Sequence, residues 1–228
     1  MDAFISVEHA GQIIDAAAIG LLALAVVGVV VRRLELAIIL LAGQGVLLGV
    51  ASGAAALAEM EWRPWAAFSV ALAVKAVAIP VILWFMLERV ALRHEAETVV
   101  PLKLAFPIAL GLALLAYWVA EPFTGPALAA EHTFAARNAL PAALGLLLLG
   151  LFTMASRKKA ITQVIGLVTM ENGIYLAAVA ATRGLPFAVE FGIALDVLTG
   201  VALMALVTHE INRLFSTINT DRLRSLRG

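Results

Sequence analysis

The chain has 228 residues, 63% of them hydrophobic, a formal net charge of zero and no cysteine. A soluble domain is roughly 45–50% apolar; with a mean hydropathy of +1.00, the excess here cannot be hidden in one globular core, so lipid is the solvent for most of the surface. The neutral balance gives no sign of a nucleic-acid partner, and the missing thiols exclude a cysteine-ligated iron–sulfur cluster, a disulfide framework and a thiol nucleophile within this chain.

Met1 to Asp15 is mixed and acidic rather than basic, unlike a cleavable signal peptide, so the first apolar run is expected to act as the insertion signal. About 20 apolar residues are needed to cross the hydrocarbon layer. In chain order, seven runs meet that length: Ile13–Val31, Leu34–Ala58, Trp65–Val90, Leu102–Ala120, Asn138–Ala155, Ile161–Ala181 and Phe187–His209. They are too long for strands and do not alternate in polarity, and helices satisfy their own backbone groups, as lipid requires. The expected fold class is all-α, a polytopic integral membrane protein with about seven transmembrane helices. The connection Glu121–Arg137, rich in Gly and Pro, is long enough to hide a re-entrant turn.

Loop charges set the expected orientation. One set of alternate loops holds Arg32, Arg33, Arg89, Arg93, Lys103, Arg157, Lys158, Lys159, Arg213, Arg222, Arg224 and Arg227, twelve in all; the other holds Arg63, Arg137 and Arg183. The positive-inside rule then puts the N-terminus outside and the C-terminus in the cytoplasm. Trp62, Trp65, Trp84 and Trp118 lie near span ends, as an aromatic belt does. Gly43, Gly45 and Gly49 read as surfaces for close helix approach. Helices one to three and five to seven share an orientation pattern and a polar–Gly step in their second helix, Gln44-Gly45 and Glu171-Asn172-Gly173, which suggests a parallel repeat.

The chemistry is expected where charge lies deep in apolar runs: Lys75 in the third span, Glu171 in the sixth and Asp196 in the seventh, with Glu190 nearer the start of the seventh. A charge at the bilayer centre costs about 2.5–3.5 kcal/mol on insertion scales, and the commonest use of such groups is to move protons or small cations. Burial disfavours the charged form of a carboxyl, which makes loading a proton less costly. Lys75 can pair with a carboxylate from a neighbouring helix or subunit, and a change in that pairing would move a proton. Pro80, five residues on, frees the carbonyl of Ala76 from its usual helical bond. Glu190 and Asp196, six residues apart, are separated by about 240° and do not share a face. The bland reading of each is a static, hydrogen-bonded structural group. His9, His94, His132 and His209 show no metal-ligand spacing, and there is no phosphate-binding Gly loop or hydrolytic triad.

The run Val164-Ile165-Gly166-Leu167-Val168-Thr169-Met170-Glu171-Asn172-Gly173 resembles the second helix of the small three-helix subunit shared by respiratory complex I (NuoK type) and multisubunit cation/proton antiporters (MrpC type). Asp196-Val197-Leu198-Thr199-Gly200-Val201-Ala202-Leu203 resembles its third helix, and Ile218-Asn219-Thr220-Asp221 its tail. The length, with extra helices in front and the phrase Asp221-Arg222-Leu223-Arg224-Ser225-Leu226, is similar to hydrogenase-4 component E. The resemblance implies a NuoK-like three-helix module over residues 137–212, behind a four-helix region 1–136 and ahead of a cytoplasmic tail 213–228. It also implies two buried acids on a hydrophilic axis. The family's first acid aligns with Val168, and Glu171 follows it by about 300° of rotation and 4.5 Å of rise, nearly the same face; Asp196 takes the place of the second, unless Glu190 does.

The expected role is a non-catalytic membrane subunit of a hydrogenase-4 or formate-hydrogenlyase-like assembly in a bacterial or archaeal plasma membrane. Glu171, Asp196, Glu190 and Lys75 would relay protons, no cofactor would sit in this chain, and metal centres would sit in partner subunits. Its partners would be other membrane subunits of that assembly and the lipid bilayer. The rival readings are a subunit of a cation/proton antiporter, an independent ion-coupled transporter and a purely structural anchor.

Overall fold

A computed structural model describes residues 6–59, 65, 68–69, 71–89, 99–123, 137–181 and 200. Six α-helices run through them: α1 Val7–Val30, α2 Leu34–Glu59, α3 Ile79–Arg89, α4 Leu102–Ala120, α5 Ala139–Ser156 and α6 Ala160–Ala181. A π-helical segment, Ala71–Ala78, leads directly into α3, and a short 3-10 turn, Glu121–Phe123, follows α4. No strand occurs among the described residues. Val7–Val30, Leu34–Ala58, Lys103–Phe123 and Ala139–Ser156 are each long and apolar enough to cross a membrane. The protein is thus an all-α, multi-pass membrane protein. The seventh expected span, Phe187–His209, lies outside the described residues apart from Gly200.

The helices start and stop for local reasons. The Ser6 hydroxyl accepts the amide N–H of His9 at 3.3 Å and caps α1. At the N-terminus of α5 the cap comes from elsewhere in the chain: the Asp15 carboxylate, on α1, accepts the Asn138 amide at 2.8 Å, an anion placed at the positive end of a helix. The third span departs from a plain α-helix. Pro80 has no N–H to give to Ala76, and its ring crowds that carbonyl; the turn ahead of it widens to the π spacing, a form that is uncommon and concentrates at functional sites.

Packing inverts the rule for water-soluble proteins. On α4 the buried positions are Ala105, Ala109, Ala113, Ala116 and Ala120, a small-residue stripe, while Leu114, Phe106 and Trp118 face outward, Trp118 at 72% exposure. Lipid tails are as apolar as leucine, so no hydrophobic gain drives helix onto helix; close backbone approach does. At the α5–α6 crossing, a Cβ on Gly150 would lie 2.6 Å from the Gly166 carbonyl oxygen, and one on Gly166 2.8 Å from that of Gly150. Helix α2 packs against α1, the π segment, α3 and α6, and α5 against α1, α4 and α6. This places α2 between the two spans that carry buried charge.

Candidate functional site

Lys75 and Glu171 meet. The lysine Nζ lies 3.6 Å from Glu171 Oε2, with side chains 1% and 4% exposed. Lys75 sits in the π segment and Glu171 at the middle of α6, 96 positions apart in the chain. What brings them together is α2. At Gly45 the α2 backbone comes so close to the π segment that a Cβ there would lie 2.5 Å from the carbonyl carbon of Lys75 and from the amide nitrogen of Ala76. The glycine expected to serve packing therefore seats the charged segment.

Around the pair runs a narrow polar seam. Asn172 Nδ2 donates to Gln44 Oε1 at 3.0 Å, tying α6 to α2. One turn beyond Glu171, the Tyr175 ring centroid lies 5.7 Å from Lys75 Nζ, within cation–π range. Ser52 Oγ donates to the Leu48 carbonyl at 2.9 Å and lies 3.2 Å from the Tyr175 hydroxyl, from which it can accept. Gln44, Ser52, Lys75, Glu171, Asn172 and Tyr175 are all buried. Apolar walls enclose them: Leu34, Ile38, Leu41, Ile79, Leu83 and Val168 form one cluster beside the pair. Val168, where the resemblance places a family acid, lies in that apolar wall, so the carboxyl of this stretch is carried by Glu171.

As a zwitterion the pair is neutral overall. Protonating the carboxylate, or deprotonating the ammonium, leaves a single net charge in an apolar surround, which is costly unless a neighbour compensates it. Among the described residues no three His, Asp or Glu side chains gather as a metal site would require. Glu190 and Asp196 lie outside the described residues. Sequence reasoning singled out Lys75 and Glu171 and noted Gln44 and Asn172, but missed Ser52 and Tyr175. Their signal was available in spacing: Ser52 is eight residues, about two turns, after Gln44, and Tyr175 four after Glu171, so each shares its partner's face.

The sequence profile of the family described as NADH-ubiquinone/plastoquinone oxidoreductase chain 4L matches residues 139–228, the stretch that contributes Glu171 and Asn172. Over nearly its whole length the chain is similar to the uncharacterized protein Rv0085 of Mycobacterium tuberculosis, 32% identical over 219 residues that cover 94% of this chain and 96% of the relative. It is also similar to hydrogenase-4 component E of Escherichia coli strain K12, 36% identical over 92 residues, 40% of this chain and 43% of that protein. The same protein of Shigella flexneri matches at the same identity and coverage. No solved structure matches the chain.

Proposed function

This chain belongs to the family of the mycobacterial protein Rv0085, and we propose that it serves as a membrane subunit of a hydrogenase-4 or formate-hydrogenlyase-like, complex-I-related assembly and takes part in its proton translocation. Redox chemistry and metal centres belong, in this reading, to partner subunits. The N-terminus faces out and the C-terminus the cytoplasm of a bacterial or archaeal cell. The observation that supports a relay role is the Lys75–Glu171 pair, 3.6 Å apart and almost wholly buried. Two well-packed apolar side chains would hold the helices as firmly or better, so a purely structural account gives no reason to keep both charges.

The pair works as a station whose proton occupancy follows the charge around it. When a positive group on a neighbouring subunit draws near, the neutral pair is favoured over a protonated carboxyl, and a proton leaves Glu171; when that group withdraws, a proton returns. The Tyr175 ring steadies the ammonium in the protonated state, and the Gln44–Asn172 amide pair keeps α6 in register against α2. Asp196 and Glu190, on the last expected span, are the next acids along the path.

The test is the assembled complex in liposomes, with redox turnover and proton uptake measured separately for Glu171→Gln and Glu171→Asp. The expected result is a lower yield of assembled complex for Glu171→Gln, and in the complex that does assemble proton movement per electron abolished in Glu171→Gln and partly restored in Glu171→Asp. An unchanged ratio of protons moved to electrons transferred in Glu171→Gln would leave only a scaffold.

A further inference from the structure

Three neighbouring spans change character at the same level. At the basic end of the bundle, α1 turns into α2 and α5 into α6. From there inward, the buried residues packed together are Leu34, Ile38 and Leu41 on α2, Leu87, Leu83 and Ile79 on α3, and Ile161, Ile165 and Val168 on α6. Just beyond them on the same spans stand the buried Gln44, Lys75 and Glu171. The apolar stretch runs seven residues along α2 and seven along α6, about 10 Å of helix rise. It is also filled differently from the rest of the bundle. The cluster that joins α1, α2, α4, α5 and α6 is mostly alanine, as close backbone approach in lipid favours. Among the described residues the layer beside the pair holds one alanine, Ala37, and is otherwise branched Leu, Ile and Val.

The two buried hydroxyls of α6 on this side are no help to a proton. Thr162 donates to the Lys159 carbonyl at 2.6 Å and Thr169 to that of Ile165 at 2.9 Å, so each hydrogen is bound to local backbone. At the rim, Arg157 is 4% exposed, and its Nη2 donates to the carbonyls of Val29 at 2.6 Å and Val31 at 2.9 Å. A cation fixed there repels an entering proton. On the opposite side of the pair the polar seam continues. Tyr175 is one turn beyond Glu171, and Ser52, 3.2 Å from its hydroxyl, is two turns beyond Gln44, both toward the end where α1 begins.

Resting on the relay reading above, we propose that the branched layer is a seal. It closes the Lys75–Glu171 pair toward the basic end, so the pair exchanges its proton only toward the end where α1 begins. Tyr175 and Ser52 are the first groups on that side that can solvate the proton. A proton entering the layer meets the desolvation barrier of any buried ion, with no hydrogen-bond partner to lower it. The layer thereby gives the relay a direction.

The full-length chain is reconstituted in liposomes with a trapped pH dye, and passive proton entry after a pH step is followed without redox turnover. Val168→Asn and Leu83→Asn each put an amide into the layer, from different helices. Each is expected to raise the flux at least about tenfold, the worth of one net hydrogen bond offered to an entering water. The same substitutions made together with Lys75→Met/Glu171→Leu are expected to return to the native flux, because the route runs through the pair. Leu114→Asn, at a position 63% exposed on α4, controls for polar insertion and is expected to leave the flux unchanged. In the assembled complex, Tyr175→Phe, which keeps the ring and loses the hydroxyl, is expected to lower the protons moved per electron; this result decides even where a layer variant does not fold. Native flux in the folded layer variants, an equal leak in Leu114→Asn, a leak that survives loss of the pair, or a native ratio in Tyr175→Phe would each overturn the proposal. The relay reading is judged separately, by Glu171→Gln during turnover, so a failed seal around a working Glu171 is recognisable.

Discussion

Removing one partner of the Lys75–Glu171 pair should cost far more than removing both. At 3.6 Å, two unit charges attract by about 5 kcal/mol with an effective dielectric constant near 20. Desolvation of both ions offsets most of that gain, so the intact pair contributes little net stability. A stranded partner keeps the desolvation penalty and loses the attraction. Lys75→Met alone and Glu171→Gln alone should therefore each lose about 3–5 kcal/mol, the usual cost of breaking a buried pair from one side. Lys75→Met/Glu171→Leu should fall within about 1–2 kcal/mol of the native protein, because the apolar cluster beside the pair can close over the new side chains. Unfolding of the four proteins in mixed micelles, read by circular dichroism and Tyr/Trp fluorescence, gives the double-mutant cycle. Additive losses, with a coupling below about 0.5 kcal/mol, would show that the two groups do not feel each other and would refute the electrostatic reasoning.

Three further expectations follow from the same geometry. Gly45→Val drives a branched side chain into the backbone at Lys75 and Ala76; it should lower stability by about 3 kcal/mol, at the upper end of overpacking costs, and shift the Tyr175 fluorescence as Lys75 moves off the ring. Asn172→Leu leaves Gln44 buried without its amide partner and should cost about 1–3 kcal/mol in the same unfolding assay, whereas Gln44→Leu/Asn172→Leu should recover most of that loss. Asp15→Ala removes the carboxylate that caps α5 and should cost about 1 kcal/mol, with hydrogen exchange accelerated first at the α5 N-terminus.

Span positions were legible because lipid imposes a length and a hydropathy that the chain displays directly: Leu34–Ala58 was expected and α2 is Leu34–Glu59. The depth of Lys75 and Glu171 was legible for the same reason, since a charge inside an apolar run stands out. Their meeting was not. Partner choice depends on which helices touch, and the runs are apolar all round, so periodicity carries no facing information. The π segment was half visible in Pro80. The close approach of α2 to it at Gly45 was not visible, because spacing does not report which helices touch. Arg157 was counted with the solvated loop cations because sequence records charge and position along the chain, while burial of that guanidinium depends on α1 ending beside it. Ser52 and Tyr175 were passed over as ordinary helix residues, and only contact makes them part of the seam.

The central claim is that Glu171 changes its protonation state as the assembly turns over. Infrared difference spectroscopy of the working complex reads this directly, with the carboxyl band assigned by its disappearance in Glu171→Gln. A protonated-carboxyl band that rises and falls with turnover, and is absent from the variant, is the predicted result. A spectrum in which that band stays constant from rest through turnover would contradict it.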